Sequence, residues 1–119
     1  MRVWQRSRAL AIEVYRLTGG AAFRQEWGLK DQLRRAAVSV PSNIAEGWAR
    51  GYERESARFF VIARGSLAEV STQADIAAAV GLLEASTAEA VQLECQELSA
   101  MLSRLIEVRS RRGIAGPDR

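Results

Sequence analysis

Residues 28–47 read GLKDQLRRAAVSVPSNIAEG. Projected at 100° per residue, Leu29, Leu33, Ala36, Ala37, Val40, Ile44 and Trp48 share one face, and Gln32, Arg35, Ser39, Ser42, Asn43 and Glu46 share the opposite one. That spacing predicts an amphipathic helix from about Gln25 to Trp48. Pro41 sits inside it, where a proline removes one intrahelical hydrogen bond and bends or breaks the run. It falls at the flank of the apolar face, so a bend there leaves that face on the core.

The same periodicity extends in both directions. A first helix is predicted from about Trp4 to Leu17, with Leu10, Val14 and Leu17 on one side and Thr18-Gly19-Gly20 as its stop. A turn near Gly51 leads to a third helix, from about Glu53 to Val80, closed by Gly81. Ser86-Thr87-Ala88-Glu89 has the spacing of a capping box and should open a fourth helix, to about Arg109. Val91, Cys95, Leu98, Leu102 and Leu105 then form a coiled-coil-like seam in which Cys95 is a small core residue. Long helices joined by short connections predict an all-α, antiparallel up-down four-helix bundle. The bundle domain should cover residues 1–112, with 113–119 a flexible C-terminal tail.

The third helix is apolar on more than one side. Phe59, Ala63, Leu67, Val70, Ala74 and Ala77 form one face, and Ile62, Ile76, Ala79 and Val80 a second beside it; Gly65 and Ser66 would allow close helix approach. A helix of that kind is normally buried on more than one side, which predicts contact with other subunits.

Composition excludes several classes. The 119 residues suffice for one self-standing domain but not two. No apolar run reaches the roughly 18 residues of a membrane span. The start, MRVWQRSRALAIEVYRL, reads as a helix and not as a signal peptide, and with a lone Cys95 the expected compartment is the cytoplasm. The chain has no histidine, a single cysteine, no paired carboxylate cluster and no glycine-rich phosphate loop, so neither catalysis, nor a cofactor, nor a metal site is expected. Charge is uneven: residues 1–66 hold 12 Lys+Arg against 6 Asp+Glu, and residues 67–119 hold 5 against 8. All basic residues but Lys30 are arginine, which suits phosphate or carboxylate binding and equally suits a GC-rich genome.

The run from Gly28 to Gly47, followed by Arg50 and by FFVIARGSLAEVSTQADIA at residues 59–77, resembles the bacterial four-helix-bundle proteins encoded within intervening sequences of 23S ribosomal RNA genes. The accessory variability determinant of diversity-generating retroelements is a relative of that family. The resemblance is close over residues 10–81, and the Gln32–Ala37 and Pro41–Gly47 blocks carry it. It implies a homopentamer, no enzymatic activity, and work with RNA or DNA, the ribosome or a reverse transcriptase. Two departures stand out: Phe23-Arg24 replaces the family's Phe-Pro ahead of the second helix, and the cap ahead of the third is replaced around Gly51-Tyr52.

Arg50, Arg54 and Arg58 step by four and would align if the third helix begins early enough, with Arg34 or Arg35 near the same patch. These five are the candidate phosphate contacts. The competing reading is a solvated face, with Glu55 neutralising Arg58 and Asp31 neutralising Arg34 and Arg35. Arg109, Arg111 and Arg112 are a weaker candidate, since a helix C-terminus favours cations anyway. Ser39 and Ser42 should bond to carbonyls one turn back, while Asn43 and Glu46 settle a helix or subunit contact. Trp4, Trp27 and Trp48 read as core or interface anchors. Two function classes remain: an oligomeric bundle that binds nucleic acid through basic surface, or a protein–protein scaffold without it.

Overall fold

The computed structural model describes residues 1–51 and 54–115. Four α-helices account for most of them: α1 (Arg2–Thr18), α2 (Trp27–Ala49), α3 (Arg54–Ala79) and α4 (Ala85–Ala115), with a 3₁₀ turn at Ala21–Phe23. No strand occurs among the described residues. Neighbours pack antiparallel in the order α1, α2, α3, α4 around a body 56 × 20 × 20 Å, and α1 and α4 touch least. This is the expected up-down bundle.

The core follows the predicted faces. Leu33, Ala36, Ala37, Val40 and Ile44 of α2 meet Phe60, Ala63, Leu67, Val70, Ala74 and Ala77 of α3, and Val91, Cys95, Leu98 and Leu102 of α4, all buried. Val3, Leu10, Ala11 and Val14 of α1, Phe23 of the 3₁₀ turn and Ala88 of α4 complete it. Two assignments shift. Phe60, not Phe59, is the core aromatic, because the buried face of α3 includes Ser56 and Phe60 one position round. Trp48 is half exposed, since it lies on the last turn of α2, where the core ends.

α2 continues unbroken through Pro41, with no cis peptide. Its polar stripe lies where predicted, with Gln32, Arg35, Ser42 and Glu46 exposed and Ser39 and Asn43 half-buried, but its hydrogen bonds differ. Asn43, not Ser39, reaches one turn back, its Nδ2 donating to the Ser39 carbonyl at 2.9 Å and to Ser39 Oγ at 3.0 Å. Ser66 of α3 donates to the same Ser39 hydroxyl at 2.8 Å, so the stripe points partly into the α2–α3 seam. Ser66 therefore does allow helix approach, whereas a Cβ on Gly65 would meet open space. The tight spot is Gly47: a Cβ there would lie 2.8 Å from a Phe60 ring carbon and 3.0 Å from the Ser56 carbonyl oxygen.

Helix ends show which sequence signals carried structure. At the end of α3, Gly81 has φ +85°, its N–H donates to Ala78, and the Leu82 N–H reaches back to Ala77. This is the six-to-one and five-to-two pairing of a glycine-terminated helix. Gly19 is different: its φ is −85°, so the left-handed freedom of glycine is not what stops α1. α4 begins at Ala85, which puts Ser86 inside the first turn instead of ahead of it, and the predicted box does not sit at the cap. At its far end α4 continues past Arg109 to Ala115. The replaced cap at Tyr52 and the predicted start of α3 at Glu53 lie outside the described residues, as do 116–119.

Candidate nucleic-acid interface

The five candidate arginines do not form one patch. Arg34 and Arg50 are 16 positions apart along α2, about 24 Å at 1.5 Å per residue. Arg34 is occupied at the far end of the bundle. Its Nε donates to Thr18 Oγ1 at 2.8 Å, its Nη2 to the Tyr15 carbonyl at 3.2 Å, and its guanidinium lies 4.3 Å from the Tyr15 ring centroid. Arg34 thus closes the C-terminus of α1, where carbonyls lack partners and a cation is favoured. Arg35 is exposed and 3.8 Å from Asp31.

Arg50, Arg54 and Arg58 sit where α2 turns into α3. Arg50 bridges the two helices, donating to Glu46 at 3.1 Å and to Glu55 at 3.0 Å, with its guanidinium 5.1 Å from the Phe59 ring. Glu55 is therefore engaged by Arg50 and not by Arg58. Arg54 and Arg58 are exposed, one turn apart, and make no ion pair with a described residue. Of the five candidates, these two are free cations at the α2–α3 corner.

Folding groups charge in a way the linear halves only suggested. Ser39 pairs with Ser66, and Arg64 with Ser103, near the middle of the bundle. A cut at that level separates residues 1–5, 39–51, 54–66 and 100–111 from the rest, Arg6 lying with its partners Glu94 and Glu97 on the other side. That end holds eight arginines and three glutamates; the other described end holds seven basic and nine acidic residues. The molecule is a positive and a negative pole along 56 Å. At the positive end Arg2 and Arg104 join Arg54 and Arg58 as exposed cations without an ion pair to a described residue. Sequence reasoning missed these two because they lie on α1 and α4. Arg111 is 3.9 Å from Glu107; the side chain of Arg112 lies outside what is described.

Arg109 is not a tail cation. It is 3% exposed, and its Nη1 donates to Ser56 Oγ at 3.1 Å while the Ser56 hydroxyl donates to the Gly47 carbonyl at 2.7 Å. Its guanidinium lies 4.9 Å from the Trp48 ring and 5.6 Å from that of Phe60. One arginine of α4 thus locks the α2–α3 corner. The tryptophans are split by this arrangement. Trp4 packs against the core, Trp48 covers the basic end, and Trp27, 74% exposed with Lys30 5.1 Å from its ring, projects at the acidic end.

The remaining chemistry is spare. Cys95 is buried on its seam, and burial pushes its thiol up to about 12. Among the described residues no group of three or more His, Cys, Asp and Glu could hold a metal ion, and no helix is long and apolar enough to cross a membrane. On α1, Arg6 forks to Glu94 and Glu97 of α4, each at 2.6 Å, which raises the guanidinium above its ordinary value through those hydrogen bonds. Beside that fork an open groove of about 590 Å³ separates the two helices.

Comparison with known proteins gives one family. The model described as 23S rRNA-intervening sequence protein matches residues 1–104. No curated protein matches the chain.

Proposed function

The chain belongs to the 23S rRNA-intervening sequence protein family, and from that premise we propose that it is a non-enzymatic, homo-oligomeric bundle of the cytoplasm that binds RNA or DNA through its basic end. One observation carries the reading: eight arginines against three glutamates at one end, with Arg2, Arg54, Arg58 and Arg104 exposed there. Phosphates answer such an excess by releasing counterions. Arg54 and Arg58 are the contacts of choice. Arg50, twice paired, and Arg34, closing α1, are poorer ones, and Arg35 lies away from the pole. The nucleic acid is met free or within a ribosome or reverse-transcriptase complex.

Self-association rests on a separate feature. Val61, Ile62, Ile76 and Val80 stand exposed on the outer side of α3. Paired with the family resemblance, this favours a homopentamer in which that side is covered by neighbouring copies. Light scattering tests it, and a monomer at micromolar concentration would remove the argument.

Binding is tested by anisotropy of labelled RNA and DNA at several salt concentrations between about 50 and 200 mM. Affinity should fall steeply with salt, and changing Arg54 and Arg58 to alanine should lower the log–log slope by about 0.7–0.9 per lost phosphate contact. Absence of binding at low salt, or an unchanged slope in the double variant, would overturn the reading.

A further inference from the structure

Trp48 stands on the last turn of α2, yet its ring meets Arg109 of α4, the diagonally opposite helix. The indole therefore lies across the end of the core, not alongside a neighbouring helix, and remains 50% exposed. Arg109 is held behind it by Ser56 and by the Phe60 ring, so the platform is braced by buried groups. Around it lies the positive pole of the molecule. A half-exposed indole backed by a guanidinium at the basic end suits an unpaired base, which offers a π-face to the ring while its phosphates reach the arginines. A duplex keeps its base faces stacked internally and offers none along its length.

Granted the nucleic-acid reading above, we infer that the basic end prefers single strands to duplex, with Trp48 as the stacking platform for one base and the exposed arginines of that end on phosphates. Trp27 supplies an internal control. It is more exposed than Trp48 and also carries a cation, Lys30, but sits at the acidic end. Exposure alone would make Trp27 the better platform; charge makes it Trp48.

The test uses a labelled single-stranded RNA of about 12 nucleotides, its DNA counterpart and the matching duplex, bound by the wild type and by Trp48→Leu, Trp48→Phe and Trp27→Leu variants. Trp48→Leu should weaken single-strand binding about tenfold, Trp48→Phe should retain most of it, and Trp27→Leu should change nothing. Duplex binding should be weaker than single-strand binding and indifferent to Trp48. The RNA and DNA arms show whether a 2′-hydroxyl contributes. Equal single-strand affinity in Trp48→Leu, an equal loss in Trp27→Leu, or tighter duplex binding would overturn the inference while leaving basic-end binding standing. A wild type that binds no oligonucleotide overturns both. Because Trp48 covers Arg109, a second readout avoids its removal. With Trp4 and Trp27 changed to phenylalanine, the remaining indole fluorescence should be quenched by the single strand, and an unquenched signal on binding would also overturn it.

Discussion

Gly47→Ala should destabilise the protein even though alanine is the better helix former. The added methyl would stand 2.8 and 3.0 Å from two Phe60 ring carbons and 3.0 Å from the Ser56 carbonyl oxygen, where ordinary contact begins near 3.4 Å. The ring is fully buried with Arg109 beside it, and the carbonyl is backbone, so neither yields by a simple rotamer change. Forcing a methyl into a packed site costs about 1–3 kcal/mol. Replacing helical glycine by alanine returns about 0.5–1 kcal/mol. The net loss is about 1–2 kcal/mol. Gly65→Ala is the matched control: it is also mid-helix, but nothing lies within 4 Å, so only the helix-propensity gain remains. The two variants should differ by about 2 kcal/mol, or about 1 M in urea midpoint for a small domain, measured at one protein concentration. A Gly47→Ala protein as stable as Gly65→Ala would refute the close approach at the α2–α3 corner.

Three further changes probe other parts of the fold. Arg109→Met keeps much of the bulk but removes the charged bond to Ser56, and should cost about 2–3 kcal/mol in denaturant unfolding; an unaffected midpoint would mean that the corner is held otherwise. Arg6→Ala should lose about 1 kcal/mol or less at low salt, since the fork to Glu94 and Glu97 is partly exposed, and the loss should shrink as salt rises. Cys95 should resist alkylation at pH 8.5 until the protein unfolds, because burial holds its thiol near 12 against an ordinary 9.0. The same shift sets a pH dependence. Below pH 9 the thiol is protonated whether folded or not; between pH 9 and about 12 only the unfolded chain loses the proton, so stability falls there.

The helical faces were legible because each is a one-dimensional pattern that survives packing. Leu33 through Ile44 and Val91 through Leu102 are buried as their spacing predicts, and Gly81 ends α3 as a left-handed glycine should. What could not be read were contacts between residues that no local period relates. Arg34 and Thr18 meet only because α1 lies antiparallel to α2. Arg109, in a run of arginines that reads as a tail, is buried because α4 ends against the α2–α3 corner. The spacing predicts a bond one turn back from Ser39 and a helix contact from Asn43; the two roles are exchanged, because a helical wheel marks polarity and not the direction of the neighbouring helix, which Ser66 supplies. Charge was half legible. The excess of arginine in residues 1–66 was plain, but the pole also needs Arg104, Arg109 and Arg111, which antiparallel packing returns to the same end.

The slack seam between α1 and α4 has a consequence for how the molecule opens. Three helices are joined by extensive packing in series, and α1 is attached broadly to α2 alone, with the Arg6 fork as its main polar tie to α4. Local unfolding proceeds where least apolar contact is lost. Backbone amides of α1 should therefore exchange with solvent ahead of those in α2, α3 and α4, as a unit and through a partly unfolded form that keeps the other three helices. The first helix made is the last one secured.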